Sequence, residues 1–154
     1  MRILVVNGPN LNMIGVREKH IYGDRSYSNL VAYIKEKAKQ KGIYVQVLQS
    51  NYEGRLVTAI QKSRGDFDAI IINAAAYTHT SIAMLDALKA SDLPAVEVHL
   101  SNLKLREDFR SFSYVALYAD KTIMGKGFDG YNEALDYLSD RYGNQQLDSL
   151  INEG

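Results

Sequence analysis

Four short Val/Ile-rich runs, each stopped by a polar residue, constrain this chain more than any other feature. Ile3–Val6 ends at Asn7-Gly8-Pro9, and Ile43–Leu48 leads into Ser50-Asn51. Asp68–Ile72 stops at Asn73, and Leu93–Val98 stops at His99. A run apolar on both faces suits a parallel strand covered by helices on both sides. Helix-length segments fill the intervals. Ser26–Lys41 has Ser26 or Ser28 as a cap, Leu30, Ile34 and Ala38 at helical spacing, and Gly42 as a stop. Glu53–Arg64 turns Leu56, Ala59 and Ile60 inward and ends at Gly65. A third helix, after Ser81, has Ile82, Leu85 and Leu88 as its buried row. Thr122–Met124 makes a short fifth strand. Gly125, Gly127 and Gly130 form a flexible turn, and Tyr131–Arg141 is the last helix. Strands alternating with helices describe a doubly wound, flavodoxin-like five-stranded parallel sheet in three α/β/α layers. The 154 residues are expected to make one domain, with a loop at about 15–25 and a frayed tail from about Gly143.

Charge narrows the partners. Lys+Arg and Asp+Glu both number 18, so nothing suggests nucleic acid or an anionic membrane. Any anion preference belongs to a local site. There are no cysteines, which removes disulfides and thiolate metal ligands. The first strand begins within two residues of the start, so no signal peptide is expected. No apolar run approaches the roughly 18 residues of a membrane span. The expectation is a cytoplasmic protein.

Ligands of open α/β sheets bind beyond the carboxyl ends of the strands. Strand one leads to Asn10 and Asn12, strand three to Asn73 and His79, and strand four to His99, Ser101 and Asn102. In a flavodoxin-like order these three strands are neighbours, so their loops share one edge. His79 and His99 are conceivable metal ligands, but no HxxxH or HxH pair occurs. No GxSxG marks a nucleophile elbow. Gly125-Lys-Gly127-Phe-Asp-Gly130 fits GxGxxG, yet it follows the last strand and reads as a turn before a helix. A phosphorylated receiver module would want an aspartate where Asn73 stands. A flavin binder would want a Ser/Thr-rich loop where Asn-Gly-Pro-Asn stands.

The remaining set suits proton transfer on a polar, anionic small molecule. Arg17 and Tyr22 share the loop after strand one, which is long for a compact domain. An arginine beside a phenol lowers a pKa normally near about 10 and makes a general base. Glu97 and His99, two apart on one strand, point to the same face. A carboxylate beside an imidazole holds its tautomer and favours its protonated form, which gives a general acid. Other residues have plainer readings. Arg106 is open between the site and a structural cap or pair with Glu107 or Asp108, and Asn10, Asn12 and Asn73 between the site and turn formation, whereas His20 reads as an exposed loop residue and Tyr77, Tyr114 and Tyr131 as packing or interface residues.

Several motifs, in order, resemble the type II 3-dehydroquinate dehydratase family. They are Asn7-Gly-Pro-Asn-Leu-Asn12, Arg17-Glu18, Tyr22-Gly23, Asn73-Ala-Ala-Ala-Tyr-Thr-His-Thr-Ser81, Glu97-Val-His-Leu-Ser-Asn102, Arg106-Glu-Asp-Phe-Arg110 and the Gly125–Tyr131 turn. The resemblance covers roughly residues 2–140. It implies a flavodoxin-like fold, a homododecamer built from trimers, and reversible dehydration of 3-dehydroquinate through an enolate, without metal or organic cofactor. It implies Tyr22 as the base at C2, activated by Arg17 on a lid, and a water held by Asn10 at the enolate oxygen. It implies His99, oriented by Glu97, as the acid for the C1 hydroxyl. The substrate carboxylate falls to Ser101 and the main chain of Leu100 and Ser101. The ring hydroxyls fall to Asn73, His79 and Arg110, and Asp86 reaches the neighbouring subunit's site.

The chain departs from the family pattern in places. Ala74-Ala75 stand where Pro-Gly or Pro-Ala is usual. Alanine resists positive φ, so that turn is expected to be conformationally ordinary. Lys19 replaces a lid proline and is expected to leave the open lid more mobile. Leu85 replaces an arginine, and Ser111-Phe112 replace a pair of histidines. These last two bear on subunit contacts.

Overall fold

The computed structural model describes residues 1–16 and 25–143. The expectations about Arg17, Lys19, His20 and Tyr22, and about the tail beyond Gly143, lie outside the described residues. The strands are β1 (Arg2–Asn7), β2 (Tyr44–Gln49), β3 (Ala69–Asn73), β4 (Ala95–His99) and β5 (Lys121–Met124). All pair in parallel, in the order β2-β1-β3-β4-β5. The expected doubly wound sheet is therefore present, and the order reverses between β1 and β3.

The helices are α1 (Tyr27–Gln40), α2 (Glu53–Lys62), α3 (Ile82–Ser91) and α4 (Asp129–Tyr142). The two-residue period of the strands sorts the core into two layers. Ile3, Val5, Ile71 and Val98 face α1 and α4, where Leu30, Ile34, Tyr131 and Leu135 meet them. Leu4, Val6, Ile70 and Ile72 face α2 and α3, where Leu56, Ile60, Met84 and Leu88 meet them. A capping box starts α1. Ser26 Oγ accepts the Asn29 N–H at 3.2 Å, and Asn29 Oδ1 accepts the Ser26 N–H at 2.9 Å.

Four local expectations need correction. Ile82 opens α3 but is 53% exposed, and Met84 takes the buried place instead. The helix begins at Ile82, so its first side chain precedes the turn that packs. Ala59 is only half-buried. Gly130 belongs to α4, not to the turn before it. A Cβ there would lie 3.2 Å from Val98 Cγ1, so the missing side chain lets α4 seat closely on β4. Ala75 has φ 51°, so the turn after β3 is strained where an ordinary conformation was expected. Its N–H donates to Asn73 Oδ1 at 3.2 Å, and Tyr77 N–H returns to the Ala74 carbonyl at 3.1 Å. These bonds hold it in the left-handed region.

Candidate active site

The carboxyl ends of β1, β3 and β4 frame a cavity of about 210 Å³. Its floor begins where β1 and β3 end in register at Asn7 and Asn73. Gly8 continues the ladder, donating its N–H to the Asn73 carbonyl at 2.8 Å. A side chain at Gly8 would collide with the Ala74 carbonyl oxygen at 2.3 Å, so only glycine lets the two loops approach. Tyr131 of α4 is buried beneath them. Its hydroxyl donates to Asn7 Oδ1 at 2.6 Å and accepts from Asn73 Nδ2 at 3.1 Å. Burial pushes the Tyr131 phenol well above its ordinary pKa, which keeps it a neutral bridge.

Asn10 lines the cavity in the left-handed conformation, φ 66°. Asparagine tolerates this through local hydrogen bonding. Its N–H donates to Asn51 Oδ1 at 3.0 Å, which ties the β1 loop to the end of β2.

The β4 side carries the charge. Glu97 and His99 do face the same way, as the strand period predicts. His99 Nε2–H donates to Glu97 Oε1 at 2.7 Å, so Nδ1 is the ring nitrogen left for a ligand. Glu97 is fully buried, but its carboxylate has four donors. Thr78 and Ser113 hydroxyls reach Oε1 at 2.6 Å each, and Thr122 reaches Oε2 at 2.8 Å. Burial alone would raise its pKa. The bond and charge of His99 and the hydroxyls of Ser113 and Thr78 outweigh that and hold it at about 2. Glu97 is thus a carboxylate at any ordinary pH.

His79 ends the turn after β3. A carbonyl only accepts, so its Nδ1–H donates to the Phe112 oxygen at 2.7 Å, which leaves Nε2 for the cavity. Leu100 and Ser101 follow β4 along the wall. Their main-chain N–H groups take no part in hydrogen bonding among the described residues. Arg106 and Arg110 also line the cavity. Glu107 meets both, Arg110 Nε at 2.9 Å and Arg106 Nε at 3.7 Å.

Of the expected site residues within the described chain, the fold gathers Asn10, Asn73, His79, His99, Leu100, Ser101 and Arg110 around one cavity, with Glu97 buried behind His99. Asp86 is not among them; it is exposed on α3. Arg17 and Tyr22 lie outside the described residues. Arg106, open in the sequence between a structural pair and the site, lines the cavity, and Tyr131, expected to pack or to sit at an interface, also bridges Asn7 and Asn73 through its hydroxyl. Thr78, Ser113 and Thr122 had no signal of their own, since three separated stretches bring them to Glu97. Among the described residues, no group of three or more His, Asp or Glu side chains could hold a metal ion. No helix there is long and apolar enough to cross a membrane.

The sequence profile of the family Dehydroquinase class II matches residues 1–139. The chain belongs to that family. A 3-dehydroquinate dehydratase of Geotalea daltonii is 53% identical over 131 residues, covering 85% of this chain and 91% of that protein. One of Corynebacterium glutamicum (strain R) is 49% identical over 138 residues, covering 90% and 95%. The crystal structure of the type II dehydroquinase from Butyrivibrio crossotus DSM 2876 superposes with a TM-score of 0.87 at 46% identity, covering 90% of this chain and 97% of that one. The expectation of a type II dehydroquinase, an enzyme of the dehydratase class, is borne out at the level of the family. Within that family, a cavity combining an imidazole held by a buried carboxylate with peptide N–H groups and arginines has the features an anionic, hydroxylated substrate requires.

Proposed function

We propose that this chain reversibly dehydrates 3-dehydroquinate to 3-dehydroshikimate through an enolate, as a step of the shikimate pathway, using neither metal nor organic cofactor. Family membership supports the reaction. The observation that carries the chemistry is the Glu97–His99 pair, an imidazole held by a buried carboxylate at a cavity wall.

Tyr22, with Arg17 favouring its phenolate, takes the proton from C2. The electron pair moves onto the adjacent carbonyl, and a water held by Asn10 stabilises the enolate oxygen. The enolate then collapses, the C1–oxygen bond breaks, and His99 gives its Nδ1 proton so that the hydroxyl leaves as water. Glu97 stabilises the imidazolium before this step and keeps Nε2 protonated after it. The substrate carboxylate lies against Ser101 and the N–H groups of Leu100 and Ser101. Asn73, His79 and Arg110 hold the ring hydroxyls. The roles of Arg17 and Tyr22 rest on the family resemblance alone.

The proposal includes a homododecamer built from trimers, with Asp86 serving the neighbouring copy. Exposed Ile82 and Asp86 lie four apart on α3, so they share a face. Exposed Phe109, Phe112 and Leu117 add apolar surface that a second copy would cover. Light scattering of the purified protein should give twelve chains; a stable, active monomer contradicts this assembly.

The deciding assay mixes purified protein with 3-dehydroquinate in the presence of a chelator. Ultraviolet absorbance of a conjugated enone should grow. Absence of that signal, or its loss on adding chelator, sinks the proposal.

A further inference from the structure

The hydroxyl cage around Glu97 has more short contacts than protons. Thr78 Oγ1, Ser113 Oγ and Glu97 Oε1 form a triangle with sides of 2.6, 2.6 and 2.8 Å. Two hydroxyl protons serve these three contacts. With Glu97 ionised, each hydroxyl can donate to the carboxylate or to the other hydroxyl. Ser113 Oγ also accepts the Ala116 N–H at 3.0 Å, which fixes one of its lone pairs and leaves its proton free to turn. The same stretch reaches the other imidazole. Tyr114 N–H donates to the Thr78 carbonyl at 2.8 Å, and the Phe112 carbonyl accepts from His79 Nδ1. Residues 78–79 and 112–114 are therefore laced together, one side holding Glu97 and the other holding His79.

We propose that Ser113, with Thr78, is a positioning residue that sets the proton affinity of His99 through Glu97. The proposal rests on the acid role given to His99 above. While His99 is protonated, its charge balances Glu97 and one hydroxyl can turn to the other. When His99 gives up its proton, the carboxylate keeps a full negative charge with less to oppose it. Both hydroxyls can then donate to Oε1, which lowers the cost of losing the proton and strengthens His99 as an acid. Thr122, on β5, binds the other oxygen and fixes the rotation of the carboxylate.

The groups facing this pair come from every packed element. Glu97 meets Thr78 from the turn after β3, Ser113 from the stretch after Arg110, Thr122 from β5 and His99 on its own strand. The cavity that His99 lines also holds His79, Arg106 and Arg110. The two arginines keep their charge across the accessible pH range. His79 and His99 are thus the titrating groups that line it among the described residues.

The test is the titration of the histidine ring signals by NMR, without substrate, in the wild type and in Ser113→Ala, alongside kcat and KM against pH. The chain has three histidines, so assignment is tractable. In Ser113→Ala the His99 titration should move up by about half a pH unit or more. The kcat limb on which the acid is lost should move the same way, kcat near neutral pH should fall about tenfold, and KM should change by less than about twofold. Ser113→Thr keeps the hydroxyl and should restore the profile. A folded Ser113→Ala protein whose His99 titrates as in the wild type overturns the proposal. If Ser113→Ala does not fold, Thr78→Val removes a proton at the same oxygen and is read by the same criteria. A shifted titration in a protein that does not dehydrate 3-dehydroquinate would uphold the coupling and remove the reaction.

Discussion

Glu97 and Tyr131 are both fully buried ionisable side chains beneath one cavity, yet their protons are held in opposite ways. Tyr131 meets only neutral amides, one accepting and one donating, so desolvation decides and the phenol keeps its proton. Glu97 meets three hydroxyls and an imidazole, all able to donate, and that set overrides desolvation. Burial does not by itself fix a charge state; the count of donors aimed at the group does. The cavity therefore has a neutral floor, suited to holding shape, and a charged wall, suited to moving a proton.

Making the charged wall neutral should have the largest effect. Glu97→Gln presents an amide to four donors and no longer opposes a charge on His99. We expect kcat to fall by roughly a hundredfold to ten-thousandfold, as when a carboxylate orienting a histidine becomes an amide. The same substitution tests stability against pH. The folded-state pKa of Glu97 is depressed from 4.5 to about 2, so its contribution is present above about 4.5 and lost as pH falls toward about 2. Urea unfolding at pH 7, 4 and 3 should show the wild type losing more stability across that window than Glu97→Gln. Equal losses would mean that the unfolded chain holds the carboxylate as well as the folded one.

The neutral floor should respond in stability more than in rate. Tyr131→Phe leaves Asn7 Oδ1 without its donor and removes the acceptor of Asn73 Nδ2. Each is buried, so the loss should be about 1–3 kcal/mol by denaturant unfolding, with kcat changed several-fold at most. A collapse in kcat matching that of Glu97→Gln would erase the distinction between floor and wall.

The two regions also differ in how far they could be read beforehand. The Glu97–His99 contact was legible because a strand repeats every two residues, so residues two apart must share a face. Asn7 and Asn73 were legible as strand ends. The hydroxyls of Ser113 and Thr122 were not, because Glu97 lies 16 and 25 positions away along the chain. The hydroxyl of Tyr131 was not, because its direction depends on how closely Gly130 lets α4 approach β4. Ile82 misled for a related reason. Helical spacing gives a face, but the start of the helix decides whether the first turn has anything to pack against.

Ala75 gives the smallest expected effect and the sharpest test of how the floor is built. It holds φ 51° between two bonded partners, where a left-handed alanine costs about 1–2 kcal/mol. Glycine there removes that strain but adds unfolded-state freedom worth about 0.4–1 kcal/mol. Ala75→Gly should therefore be neutral or stabilising by up to about 1.5 kcal/mol. Ala38, buried inside α1, has helical neighbours and no strain to relieve. Ala38→Gly should cost about 1 kcal/mol from propensity alone. Thermal unfolding of the two variants should thus diverge in sign or nearly so. If both lose stability equally, the positive φ at Ala75 is carried without cost, and the strain assigned to the turn after β3 is not there.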